Sequence, residues 1–200
     1  YWIFCDRLKK NGVNVLGIGD SPYDALSEEL KNALTEYYYL PHLDDYEQMV
    51  RAVGFFTFKY GKIDWIESNN EFWLEQDARL RTDFHVTTGE QYDHIDRIKN
   101  KSAMKAYYAK AGVPTARLHK VTTFEAGRDF AHMVGYPVIV KPDNGVGACD
   151  TYKLHSDDEL AYFYATKPQS VPYVMEEFIN GQIFSYDAIL DSHSAPFFES

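Results

Sequence analysis

Cysteine is almost absent. Cys5 and Cys149 are the only two in 200 residues, so there is no disulfide framework and no C-x-x-C metal knuckle. A reducing cytoplasm is the compartment this usage suggests. No apolar run approaches the roughly eighteen residues of a membrane-spanning helix, and no secretory leader is visible. Positive charge is also scarce: 20 Lys and Arg face 30 Asp and Glu, for a net charge of −10. That balance excludes a general binder of nucleic acid or of an anionic membrane, because no basic stripe is left for either. An anionic ligand has to be held locally, against the overall field. The seven histidines are scattered without H-E-x-x-H or any other ligand spacing, so the sequence offers no metal-binding set. Internal repeats and low-complexity linkers are missing too.

What is present is a globular composition, 45% apolar and 16% aromatic, on a chain long enough for one large domain or two small ones. It begins at Tyr1 in a helical pattern, with Trp2, Cys5 and Leu8 on one face and a stop at Asn11-Gly12. It ends on Phe197-Phe198-Glu199-Ser200 without a polar tail, and both ends read as cuts through a longer protein. The first half alternates strand and helix. Strands are expected at 13–19, 36–40 and 64–67, and helices at 27–34, 44–56 and 71–80. That alternation predicts a parallel sheet flanked by helices. Gly17-Ile18-Gly19-Asp20-Ser21-Pro22 reads either as a tight βα turn or as a dinucleotide loop whose third glycine has become proline. The polar run Glu67-Ser68-Asn69-Asn70-Glu71 is either a solvated helix cap or a ligand site at a strand end.

A second unit starts near residue 95. Met104, Tyr107, Tyr108 and Ala111 keep helical spacing up to Gly112-Val113-Pro114. Thr122-Thr123-Phe124-Glu125 and Ser156-Asp157-Asp158-Glu159 each fit a capping box and should open helices. Strands are expected near 117–121, 138–141 and 151–154, then in Pro172–Ile179, and finally from Ile183 to Leu190.

The most informative stretch is Tyr136-Pro137-Val138-Ile139-Val140-Lys141-Pro142-Asp143-Asn144-Gly145-Val146-Gly147. A short β-branched strand here delivers Lys141 beside Gly145 and Gly147. A fixed ammonium next to a backbone that ligand oxygens can approach suits a polyphosphate. The same residues also fit an ordinary strand-to-turn connection. The lysine precedes the glycines, so this is not the G-x-x-x-x-G-K-[ST] loop.

Lys101 followed by Ala111-Gly112-Val113-Pro114, then the Lys141 strand and glycine loop, then Met175-Glu176-Glu177-Phe178-Ile179 with Gly181, resembles the ATP-grasp superfamily. The likeness is to its carbamoyl-phosphate-synthase-like and biotin-carboxylase-like carboxylate–amine ligases. The resemblance implies an α/β chain with two parts. Residues 1–94 would be a parallel-sheet pre-ATP-grasp domain. Residues 95–200 would be an ATP-grasp α+β region, incomplete at its C-terminus, with a lid at about 115–175 and the start of a further sheet at 176–200. By the same resemblance Lys101 and Lys141 contact ATP phosphates, and Asn144, Gly145, Val146 and Gly147 belong to the loop that folds over them. Glu176 contacts adenine by its side chain, and Glu177 and Ile179 contribute backbone groups. Phe178 and Val140 line the adenine slot. Many relatives place a ribose-binding acid where this chain has Ile183, which leaves Gln182 as the candidate. Magnesium ligands are expected beyond residue 200, so the 200-residue piece is expected to be inactive alone. The implied substrates are a small carboxylate and an amine, the implied assembly a homodimer. A non-catalytic nucleotide-binding or regulatory module is the alternative.

Overall fold

The computed structural model describes residues 2–145, 149–191 and 193–200. Among these, no helix is long and apolar enough to cross a membrane. The chain divides into two compact units, one ending at Lys99 and the other comprising Asn100–Ser200. Both mix helix and strand.

The first unit starts with α1 (Trp2–Lys10), β1 (Leu16–Gly19), α2 (Glu28–Ala33) and β2 (Glu36–Tyr39). Strands β1 and β2 pair in parallel, Leu16 opposite Glu36 and Gly19 opposite Tyr39. The glycines of this strand make room for side chains: a Cβ on Gly19 would lie 2.6 Å from the Tyr37 hydroxyl. That hydroxyl instead donates to the Ser21 carbonyl at 2.6 Å and fastens a tight turn after β1. Helix α3 (Tyr46–Tyr60) is capped by Asp45, whose carboxylate accepts from the Gln48 N–H, and it stops at Gly61 with φ 86°. With α4 (Leu74–Asp83) it closes a core of Leu40, Met49, Val53 and Leu80.

The strand expected at 64–67 is not formed. Trp65 and Ile66 have the right propensity, but side chains take the backbone groups that a ladder would use. The Asp64 carbonyl accepts from the Thr88 hydroxyl, and the Ile66 carbonyl from the Arg81 guanidinium at 2.7 and 2.9 Å. The Ser68 N–H donates to Asp77. Arg81 is 3% exposed and also reaches the Glu90 carbonyl and the Glu67 carboxylate. The polar run 67–71 is thus an anchored loop, and Asn70 caps the turn that leads into α4.

The second unit follows α5 (Asp96–Lys99) and opens with α6 (Lys101–Lys110). Strands β3 (Leu118–Lys120), β4 (Val138–Pro142), β5 (Tyr152–Leu154) and β6 (Tyr173–Glu177) form one antiparallel sheet in the order β3-β6-β4-β5. Both capping expectations open helices. Thr123, one residue later than the box predicts, caps α7 (Phe124–Val134), and Ser156 caps α8 (Asp157–Thr166). These two helices cover one face of the sheet. Phe130, Ala131, Leu160 and Phe163 pack there on Val138, Val140, Leu154, Tyr173 and Met175. Of the strand expected at 183–190, only β7 (Ala188–Leu190) forms, paired in a separate hairpin with β8 (Pro196–Glu199). Asp187 exchanges backbone hydrogen bonds with Ser200 at the end of that hairpin, and residues 183–186 pair with no strand among the described residues.

Arg81 replaces a missing strand pairing, so its loss should be costly. Arg81→Met strands two carbonyls and a carboxylate, and urea unfolding should report about 2 to 4 kcal/mol of lost stability. Arg81→Lys should recover only part of it, because one ammonium lacks the guanidinium's fork.

Candidate functional site

Antiparallel register decides which side chains share a face. Ile139 stands opposite Glu176, Lys141 opposite Val174, Leu118 opposite Glu176, and Lys153 opposite Ile139. Side chains alternate along a strand, so Leu118, Ile139, Lys141, Lys153, Val174 and Glu176 lie on the face away from α7 and α8. Val140 is fully buried among the core residues on the opposite face. It therefore does not line a slot beside Glu176; Ile139 takes that place. A period of two sends neighbours to opposite sides, and an all-apolar Val-Ile-Val run does not say which of them faces the site.

Glu176 is the centre of this face. It is 9% exposed, and its carboxylate meets two ammonium groups: Lys141 at 2.6 Å and Lys105 at 2.9 Å. Burial pushes its carboxyl up, but hydrogen bonds from Lys141 and Lys105 outweigh that and hold it below the ordinary value of 4.5. Lys105 comes from α6 and also donates to the Ala116 carbonyl just before β3. The sequence reading missed Lys105. The only signal was its spacing: four residues after Lys101, it stands one turn away on the same helix face.

The start of the glycine loop is tied to the same helix. Asn100 makes no side-chain cap for α6. Asp143 supplies one from across the fold, accepting from the Ser102 N–H at 2.8 Å and the Ser102 hydroxyl at 2.6 Å. A carboxylate at a helix N-terminus also meets the favourable end of the helix dipole. Lys101 donates its Nζ to the Gly145 carbonyl at 2.9 Å. Gly145 passes close over Pro142, where a Cβ would lie 3.1 Å from the proline's own. Asn144 is exposed at the turn, and Val146 and Gly147 lie outside the described residues.

The remaining candidates sit at the end of β6. The Glu177 side chain is held by Arg117, which donates from its backbone N–H at 2.7 Å and from its guanidinium at 2.6 and 2.8 Å. Its carboxyl is lowered by those bonds. Phe178 lies under Lys153, whose Nζ is 3.9 Å from the ring centroid. Ile179 and Gln182 are exposed beyond the strand. Among the described residues no three His, Cys, Asp or Glu side chains gather into a metal-binding group. The arrangement offers ammonium donors beside a glycine-bearing loop, and next to them a charged acceptor flanked by the apolar Leu118, Ile139 and Val174.

Residues 96–184 match the family model described as carbamoyl-phosphate synthase L chain, ATP binding domain. Among curated proteins, the L-arginine-specific L-amino acid ligase of Bacillus subtilis is 32% identical over 108 residues, which cover 54% of this chain and 26% of that protein. The carbamoyl phosphate synthase large chain of Agathobacter rectalis is 27% identical over 106 residues, 52% of this chain and 10% of that protein. Among solved structures, the biotin carboxylase domain dimer of the Hydrogenobacter thermophilus 2-oxoglutarate carboxylase, in complex with MgADP, ADP and bicarbonate, superposes with a TM-score of 0.72 at 22% identity. That match covers 89% of this chain and 42% of that one. The L-amino acid ligase of Bacillus licheniformis gives 0.63 at 17% identity, covering 89% and 41%. These structures share the fold. The chain spans about a quarter or less of the first two curated relatives and under half of the two solved ones.

The carboxylate between two lysines gives a pH-dependent expectation. The folded state lowers the Glu176 pKa from 4.5, so its stabilisation is present above that value and fades as pH falls through the folded one. Glu176→Gln leaves two ammonium groups facing an amide. At neutral pH it should cost about 2 to 3 kcal/mol, less than a fully buried pair. Below pH 4.5 the gap to the unsubstituted chain should narrow. Urea unfolding at both pH values measures it.

Proposed function

From the match of residues 96–184 to the ATP-binding domain of the carbamoyl-phosphate synthase L chain, we propose that this chain is of the ATP-grasp superfamily and is the nucleotide-binding part of an ADP-forming carboxylate–amine ligase. On this reading the first unit is the pre-ATP-grasp domain, and the complete enzyme activates a small carboxylate as an acyl phosphate for attack by an amine. A carbamoyl-phosphate-synthase-like reaction is one form of that chemistry. Relatives named as amino acid ligases and as carbamoyl phosphate synthases support the class. One observation carries the reading: Lys141, at a strand end beside the glycine loop, shares a sheet face with the acceptor Glu176.

The residues fit the nucleotide. Lys101 and Lys141 would bind its phosphates, with Asn144 and Gly145 presenting backbone beside them. Glu176 would accept from the adenine amino group. Glu177, Phe178 and Ile179 would present the strand end next to the base, and Gln182 would reach toward the ribose. Bound ATP supplies the phosphoryl group, and magnesium supplies charge compensation on it. Among the described residues no acidic or histidine cluster fits the metal. The residues of this chain position the phosphates and offset their charge, the larger part of catalysis in phosphoryl transfer. A homodimer in a reducing cytoplasm completes the proposal, supported for assembly by the biotin carboxylase relative, whose structure is a domain dimer.

Lys141→Met is the direct test. Calorimetry of the folded variant with ATP and magnesium should show affinity weakened at least tenfold, about 1.4 kcal/mol. Unchanged affinity would remove the proposal's central contact.

A further inference from the structure

Lys101 and Lys105 stand four residues apart on α6, an arrangement that by itself disfavours a helix, since like charges repel at that spacing. Each has its own acceptor. Lys101 reaches the Gly145 carbonyl, and Lys105 reaches Glu176 and the Ala116 carbonyl. Glu176 thus has two cations for one carboxylate, Lys105 on one oxygen and Lys141 on the other. A nucleotide at this site draws Lys141 toward its phosphates. Glu176 is then left 9% exposed in a folded strand, with Lys105 as its remaining partner of these two.

We propose that Lys105 is a positioning residue that sets nucleobase choice, by keeping the Glu176 carboxylate charged and aimed when Lys141 turns to phosphate. The inference rests on the nucleotide-binding reading above. The chemistry follows from the donor and acceptor inventory. An ionised carboxylate only accepts, so it pairs with a purine that carries an amino group at position 6 and repels one that carries an oxygen there. A protonated carboxyl also donates, and it accommodates that oxygen. Burial favours the protonated form unless a cation opposes it, and Lys105 is the cation that stays. Its second bond, to Ala116, fixes the ammonium from the β3 side, so the carboxylate is oriented as well as charged. A site built around a charged acceptor discriminates strongly, because the wrong base leaves that acceptor unpaired.

ATP and ITP differ at position 6 and in the N1 proton that accompanies the change, and they make a suitable pair of probes. Calorimetry of the 200-residue chain with magnesium should show at least tenfold preference for ATP. Lys105→Met should cut that preference tenfold or more, chiefly by weakening ATP. Lys105→Arg should restore it, because the guanidinium keeps the charge on Glu176. If Lys105→Met does not fold, Lys105→Gln gives the same comparison with a neutral donor of similar reach. A purely structural role would weaken both nucleotides alike and leave the ratio intact; that result overturns the inference while ATP binding and its loss in Lys141→Met stand. An intact chain with no preference for ATP over ITP overturns it as well. An intact chain that binds neither nucleotide overturns the inference together with the reading beneath it.

Discussion

One buried carboxylate organises the second unit. Glu176 lies in β6, takes one ammonium from β4 and another from α6, and so ties three elements that are far apart in sequence. The helix is pinned a second time where Asp143 caps its N-terminus from the loop after β4. These two attachments hold α6 against the sheet, one at β6 and the other at the glycine loop. Lys101 and Lys105 are delivered to different acceptors by the same helical turn. Moving any one of the three elements breaks a charge-assisted bond in a poorly hydrated place, where such bonds are worth most and their loss costs most.

The local charge runs against that of the chain. The whole sequence carries −10, yet on this sheet face Lys105 and Lys141 both meet the one Glu176 carboxylate, and Lys153 stands over Phe178 on the same face. Screening makes this workable: beyond about 8 Å in physiological salt, exposed acidic groups elsewhere contribute little. Such a convergence of ammonium groups favours an anion locally, and the acidic remainder discourages adventitious polyanions. Phe178 beneath Lys153 adds a cation–π contact that shelters one of those charges without neutralising it.

Much of this was legible in the residues. The β-branched run at 138–140 announced a strand, and Ser156 with Glu159 announced a helix start. In the structure Ser156 accepts from the Glu159 N–H, while the Glu159 carboxylate accepts from the His155 N–H instead of the cap's own. Lys141 and Glu176 could be named as partners in one site only through a family likeness. Their actual contact depends on an antiparallel register that no local pattern encodes. Lys105 was missed, and Asp143 was placed only in the loop, for the same reason. One looks like a solvated helix lysine and the other like a loop acid, and each acquires its role from a residue roughly 40 to 70 positions away. The missing strand at 64–67 has a related cause. Its propensity was read correctly, but Thr88, Arg81 and Asp77 had already claimed the backbone groups a ladder needs.

If the site takes a nucleotide as proposed, the same triad also bears on what that binding costs. Without a ligand Lys141 is not idle: it holds a carboxylate at 2.6 Å, and on the proposed reading a phosphate would have to replace that contact. A single buried pair opened this way would be expensive, since its carboxylate would be stranded. Lys105 changes the balance, because Glu176 keeps a partner while Lys141 moves. On the proposed reading the doubled cation would lower the cost of the exchange, and the separate acceptors of Lys101 and Lys105 offset their unfavourable spacing on the helix. A lysine at position 105 that merely faced water would account for neither.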